Sequence, residues 1–233
     1  MPHRQSVPLH GPGSPVAVLE LFTSEGCSSC PPADDLLPQL GGNNPSIIPL
    51  SFHVDYWNDL GWTDPFSSSI YSERQREYVT QFKLESAYTP QLVINGEYEM
   101  VGSNRGKAEK AIREVLKENA AVQLSISNVT QTGDKLHFTV GVTGDRQKTR
   151  LEALLVQGQA VMKIKAGENN GATLTHTNIV RSILSKEKPE TVNQFEMVIP
   201  QDAGKDNWKI VALSRRTDDL RITGAVLYTG HQD

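Results

Sequence analysis

Apolar positions along the chain follow two regimes, and the change falls near Ala120. In the first, apolar runs alternate with helix-like stripes. Residues 16–22 are apolar except for Glu20, the pattern of a strand buried on both faces of a sheet. Residues 31–40 then open as a helix does: Pro31 and Pro32 stand where N–H groups lack partners anyway, and Asp34 and Asp35 favour the dipole. A residue before proline resists the helical region, so a start near Ser29 is a second possibility. Gly41-Gly42-Asn43-Asn44 stops the helix. A second strand is predicted over 47–54, followed by a connection carrying Tyr56, Trp57, Trp62, Pro65 and Phe66. Residues 67–84 predict a helix, with Ile70, Tyr71, Tyr78, Val79 and Phe82 at spacings of three to four. Residues 88–98 predict a strand that starts through Pro90 and turns at Asn95-Gly96 into a short partner at 98–101. A helix over 107–118 follows, with Ala111, Ile112, Val115 and Leu116 on one face.

Beyond Ala120 the pattern is nearly pure alternation. Seven short strands are predicted, over 122–129, 136–142, 151–157, 159–165, 195–199, 208–213 and 222–228. Turn signals such as Thr132-Gly133-Asp134 and Thr143-Gly144-Asp145 separate them, as in a β-sandwich. The stretch 167–181 is too polar and Gly-rich for core. Its Glu168, Asn169, Asn170 and His176 are expected to dock the two halves, with lining of a site as the alternative. The expected organisation is a disordered lead-in over 1–15, an α/β domain over 16–119 with a central mixed sheet, flanking helices and a helical insertion, and an all-β sandwich-like domain over 120–233.

A chain of 233 residues has room for one large domain or two modest ones. Its formal charge of -4 offers no broad attraction for nucleic acid or anionic lipid, and neither is expected as a partner. No apolar run approaches the ~20 residues needed to cross a bilayer. Residues 1–15 are rich in Pro, Gly and His and lack the apolar centre of a secretory signal.

The chain has two cysteines, paired as Cys27-Ser28-Ser29-Cys30 between the first strand and the first helix. A thiolate attacks a disulfide far better than a thiol does, and a helix amino end favours the thiolate. In this arrangement Cys27 is the expected nucleophile and Cys30 the resolver. The competing readings are a structural disulfide, half of a metal site and two inert thiols. Zinc needs four ligands or three plus water, and no second Cys-x-x-Cys or His pair exists. Two thiolates can hold Cu(I), with His53 as a third ligand. The redox reading needs neither metal nor other cofactor.

Glu20 is an expensive carboxylate to bury, so backbone donors are expected around it. Glu25 is expected to be solvated on an exposed loop. His53, Asp55 and Trp57 alternate along a strand end and so share one face, as the wall of a substrate cleft or as a packed corner. His137 and His176 are expected to be surface or hydrogen-bonded residues. No Ser/His/Asp, P-loop or dinucleotide-binding spacing occurs.

Residues 16–118 resemble the thioredoxin superfamily through the Cys27–Cys30 turn and the segment Tyr88-Thr89-Pro90-Gln91-Leu92-Val93-Ile94-Asn95-Gly96. The resemblance implies a thioredoxin-like fold, a cis Thr89–Pro90 bond lying against the dithiol, and backbone hydrogen bonds from Thr89 to an incoming extended chain. It also implies a proton-relay role for Glu20, at a spacing one residue longer than in the family. Gly26 and Ser28-Ser29 depart from the family's bulky aromatic and Gly-Pro, so the resemblance implies no direction of exchange.

Glu20 through Asp34, His53-Val54-Asp55-Tyr56-Trp57, and 167–171 with 178–181 resemble more narrowly a bacterial family catalogued as domain of unknown function 1223. Its members are described mostly as secreted, thioredoxin-like proteins. That implies a periplasmic or secreted location, with a signal removed from a longer precursor; the cytoplasm is the alternative. The expected reaction is thiol-disulfide exchange with a protein substrate or redox partner. Cys27 attacks, Thr89-Pro90 aligns the chain beside His53 and Trp57, and Cys30 releases it. The alternative function is a non-enzymatic one, a Cu(I) carrier or an interaction module whose disulfide is a staple.

Overall fold

The computed structural model describes residues 13–204 and 207–229. Apart from residues 13–15, the expected lead-in lies outside them.

The first apolar run forms β1 (Ala17–Thr23), buried along its whole length. It is buried because it is central: β2 (Ile47–His53) pairs with it in parallel and β3 (Gln91–Ile94) antiparallel, and β4 (Tyr98–Val101) closes that edge. Helix α1 (Pro31–Gly41) starts at the prolines, which take its first two positions, with Cys30 as N-cap. It shares one sheet face with α3 (Arg105–Val115), over Ala17, Leu19, Leu21, Leu92 and Ile94. Helix α2 (Ser69–Gln81) covers the opposite face, over Phe22, Phe52 and Val93. Its buried residues are Tyr71, Ser72, Arg74, Gln75 and Tyr78, whereas Ile70 is exposed. Ser72, Arg74 and Gln75 are thus three of the five buried residues of a helix face expected to be apolar, and Arg74 and Gln75 meet the buried Glu20 and Gln91 of the sheet.

The alternating second half supplies β5 (Val122–Thr132), β6 (Lys135–Gly144), β7 (Thr149–Lys163), β8 (Thr173–Glu187), β9 (Val192–Val198), β10 (Trp208–Arg216) and β11 (Ile222–Thr229). Two expectations are corrected. The strands expected at 151–157 and 159–165 are one continuous β7. It runs through Gly158, where a Cβ would stand 2.5 Å from the Asn207 side chain. The polar stretch 167–181 is largely strand: β8 pairs with β7 along its length, and a bulge at Leu155/Val156 leaves Arg181 unopposed.

Pattern change at Ala120 coincides with the approach to β5, but the two halves share a sheet. Eight strands run in the order β11-β10-β7-β8-β2-β1-β3-β4, joined where Ser51 of β2 pairs in parallel with Ile179 of β8. A second, antiparallel sheet of β5-β6-β9 stacks on the β7/β10 end, with Ile126, Leu136, Phe138 and Phe195 packed on Leu151, Leu155, Ile210 and Ala212. The architecture is a mixed sheet with few helices plus a second antiparallel sheet. Its consequence for the site is that β8 passes beside β2, at the end where α1 begins.

Candidate functional site

Cys27 and Cys30 form a disulfide, with their Cα atoms 5.5 Å apart. The intervening Ser28 and Ser29 are exposed, yet both cysteines are fully buried. The turn is held locally, Cys27 N–H donating to Ser24 O and Cys30 N–H to Cys27 O. Across it lies the loop before β3, where the Thr89–Pro90 bond is cis. The Ser29 hydroxyl donates to Thr89 O at 3.4 Å and also stands 3.4 Å from Cys27 Sγ. Trp57 Nε1 donates to Thr89 Oγ1 at 2.9 Å. Thr89 and Trp57 are thus brought to the dithiol, and their polar groups bond each other.

Glu20 is not brought there. Side chains alternate across a strand, and Glu20 points to the α2 face, away from α1 and Cys30. Arg74 Nε donates to its Oε1 at 2.6 Å, and the Tyr78 hydroxyl donates to its Oε2. The relay role is therefore corrected by the parity of β1, and the donors are side chains rather than the expected backbone. Arg74 also meets Glu152 at 2.9 Å, and Arg215 meets Glu77 at 2.7 Å. Burial alone would lower the Arg74 pKa, but Glu152 and Glu20 more than reverse this and hold it well above its ordinary value.

The opposite face carries a different cluster. Thr23, Ser51 and His53 project there from the strand ends, and Asp34 joins them from α1, one turn beyond Cys30, with its N–H donating to Cys30 O at 3.1 Å. His53 Nδ1 lies 2.7 Å from Asp64 Oδ2, both buried. Asp64 also accepts from the N–H groups of Glu25 and Phe66, each at 2.9 Å. Burial would raise the Asp64 carboxyl, but His53 and these donors outweigh it and hold the pKa below its ordinary value. His176 of β8 stands 4.7 Å from His53, ring to ring, with Nε2 3.2 Å from Glu25 Oε1 and Nδ1 3.9 Å from Asp34 Oδ2. Among the described residues, neither His176 nitrogen has an aligned hydrogen-bond partner, and neither has His53 Nε2. Burial pushes the Asp34 carboxyl up to about 7, with His176 only partly offsetting it.

Several expectations change here. Glu25 is fully buried rather than solvated, because Trp62 Nε1 donates to it at 2.7 Å and His176 faces it. His176 is buried, not at the surface. His53, Asp55 and Trp57 do not share a wall, since β2 ends at His53: His53 turns into the cluster, Asp55 accepts from the Ser72 hydroxyl at 2.5 Å, and Trp57 reaches Thr89. Asp34 and Asp64 were not singled out by their surroundings in the chain. A signal for Asp34 does exist, since it follows Cys30 by four residues and so shares its helix face. Among the described residues no group of three or more His, Cys, Asp or Glu is arranged to hold a metal ion.

The second half reaches the same place. Asn169 Nδ2 donates to Glu25 O at 2.8 Å and to Cys27 O at 3.0 Å, and Glu168 Oε2 accepts from Ser28 N–H at 3.1 Å. The arrangement therefore draws on both halves of the chain, and a sequence match covers both. The profile of a family described as "Protein of unknown function (DUF1223)" matches residues 18–214. The chain belongs to the DUF1223 family. For this DUF1223 protein, the crystal structure of protein AGR_C_4864 from Agrobacterium tumefaciens is a similar fold, with a TM-score of 0.71 and 25% identity over 94% of this chain and 96% of that one. A domain of the outer membrane lipoprotein Omp28 from Porphyromonas gingivalis aligns at a TM-score of only 0.29 and 12% identity, over 47% of this chain and 88% of that one. No curated protein is a significant match to this DUF1223 chain.

Proposed function

We propose that this protein is a thiol-disulfide oxidoreductase of thioredoxin-like type, acting on protein thiols outside the cytoplasm through Cys27 and Cys30. One observation carries the reading: a disulfide at the amino end of a helix has the Thr89–Pro90 loop bonded across its turn and a buried acid, Asp34, one helical turn along. A staple needs neither. In the reducing direction the Cys27 thiolate attacks a substrate disulfide, forms a mixed disulfide and expels one substrate thiolate. Cys30 then gives up its proton, its sulfur attacks Cys27 Sγ, and the second substrate thiolate leaves. Two electrons pass from the cysteine pair to the substrate, and the reverse sequence oxidises a substrate dithiol.

Asp34, with its carboxyl lifted toward neutrality, is the group that suits the proton of Cys30. It replaces Glu20 in that role. The Thr89–Pro90 loop supplies the edge along which an extended chain aligns.

Full burial of both cysteines favours a second reading, a structural staple in an interaction module. Redox equilibration of the folded protein separates the two. The oxidoreductase reading expects the native disulfide to equilibrate reversibly with glutathione, at a potential above about -300 mV. A lower potential, with thiols released only on unfolding, supports the staple.

A further inference from the structure

We propose that the loop 164–172, contributed by the second half, is the access-determining element of the Cys27–Cys30 site: Asn169 latches it over the turn, and the dithiol reacts when the latch opens. The inference rests on the oxidoreductase reading and adds what controls it. Cys27 is fully buried although the next two residues are exposed; Ser29 Oγ of its own turn stands 3.4 Å from its sulfur, and other segments pack on the turn from outside. The Thr89 loop and Trp57 flank that turn on one side, and the groups that bond its backbone from the second half come from the loop 164–172. Asn169 spans two carbonyls, of Glu25 and Cys27, and Glu168 takes the Ser28 N–H.

The loop is built as a preformed piece. Ile164 is buried beneath it, Ile164 N–H donates to Ala172 O, and Gly171 N–H donates back to Ile164 O, which closes its base. Gly167 and Gly171 take positive φ at 72° and 87°, a backbone that permits the tight path of the tip. The tip then rests on the turn through polar contacts, while Glu168 and Asn170 stay exposed. A preformed tip held by a few hydrogen bonds can lift without disturbing the core beneath it, since each such bond contributes only modestly. A substrate chain approaching Thr89 and Cys27 must displace it, so the second half selects which thiols reach the site.

The test is the rate at which the native disulfide is reduced by a small phosphine, read by alkylation and mass spectrometry. It compares the full chain with Asn169→Ala and the near-isosteric Asn169→Asp, which points an acceptor at the same carbonyls. A stability control, Val140→Ala in the core of the second sheet, lowers the melting temperature without touching the loop. The expected result is a rate increase of about tenfold or more in both Asn169 variants, the scale of one or two lost hydrogen bonds, and none in the control. Ready reduction of every protein at one rate overturns the latch and leaves the oxidoreductase reading standing. If no protein is reduced before it unfolds, both are overturned. An equal acceleration in the control also overturns the latch, because the loss of global stability then explains it.

Discussion

Two buried charged clusters flank the same sheet, and they differ in kind. On the α2 face, Glu20 and Glu152 meet Arg74 and Arg215, and the guanidiniums also lie over Phe52 and Tyr78 at 5.3 and 4.9 Å. Burial would lower the Arg74 pKa, but pairing with Glu152 and Glu20 outweighs it and holds the guanidinium well above its ordinary value. On the α1 face, His53, His176, Glu25, Asp34 and Asp64 crowd behind the cysteines, and burial brings Asp34 to about 7. The first cluster ties α2, β1, β7 and β10 together through ion pairs. The second includes Asp34, one helical turn from the disulfide, and on the proposed reading it is Asp34 that takes the proton of Cys30. Burial of charge alone does not mark a site; proximity to titration and to a reactive group does.

The largest expected effect belongs to the first cluster. Arg74→Met leaves Glu20 and Glu152 without their shared cation and is expected to cost about 5 kcal/mol, the upper end for breaking a buried pair. Denaturant unfolding measures it. Reduction of the disulfide in the fraction that stays folded should be unchanged, and a selective change there would break the contrast between the faces.

Next comes the titrating cluster. An aspartate whose folded pKa exceeds its unfolded one binds its proton more tightly when folded, so its stabilising contribution is complete at low pH. That contribution is lost as pH rises from about 3.8 through about 7. The rise corresponds to a loss on the order of 4 kcal/mol across that window. Asp34→Asn should flatten the stability profile there and become the more stable protein above pH 7. The same variant should remove an inflection near pH 7 from the rate at which Cys30 resolves a mixed disulfide.

Trp57→Phe removes the donor to Thr89 Oγ1 and should cost about 1 kcal/mol, a typical single hydrogen bond. Its sharper readout is substrate capture. A Thr89 loop freed from Trp57 should change the yield of mixed disulfide more than it changes the melting temperature.

Much of this was legible in the chain. The run 16–22 announced a central strand because it is apolar on both faces, and Cys-x-x-Cys before two prolines announced a helix start. Alternation announced most later strands. What stayed hidden depended on pairing. Thr173, Thr175 and Thr177 alternate with Leu174 and His176, a strand pattern with a histidine pointing inward, but the polarity of the run obscures it. His176 is buried because β8 lies beside β2, a neighbour more than a hundred residues away in the chain. Glu25 reads as a loop carboxylate until Trp62 and His176 are placed on it. Glu20 shows the reverse error: its strand was evident, but only the structure shows which face α1 covers.

Covalent trapping tests the central claim most directly. The full chain carrying Cys30→Ser is expressed beside the double variant Cys27→Ser/Cys30→Ser, in cells that export it, and thiol-linked species are resolved without reductant. The oxidoreductase reading predicts mixed disulfides with cellular proteins through Cys27 in the single variant and none in the double one. A single variant that traps nothing while remaining folded, with Cys27 still closed to alkylation, would contradict it and leave the disulfide as a staple.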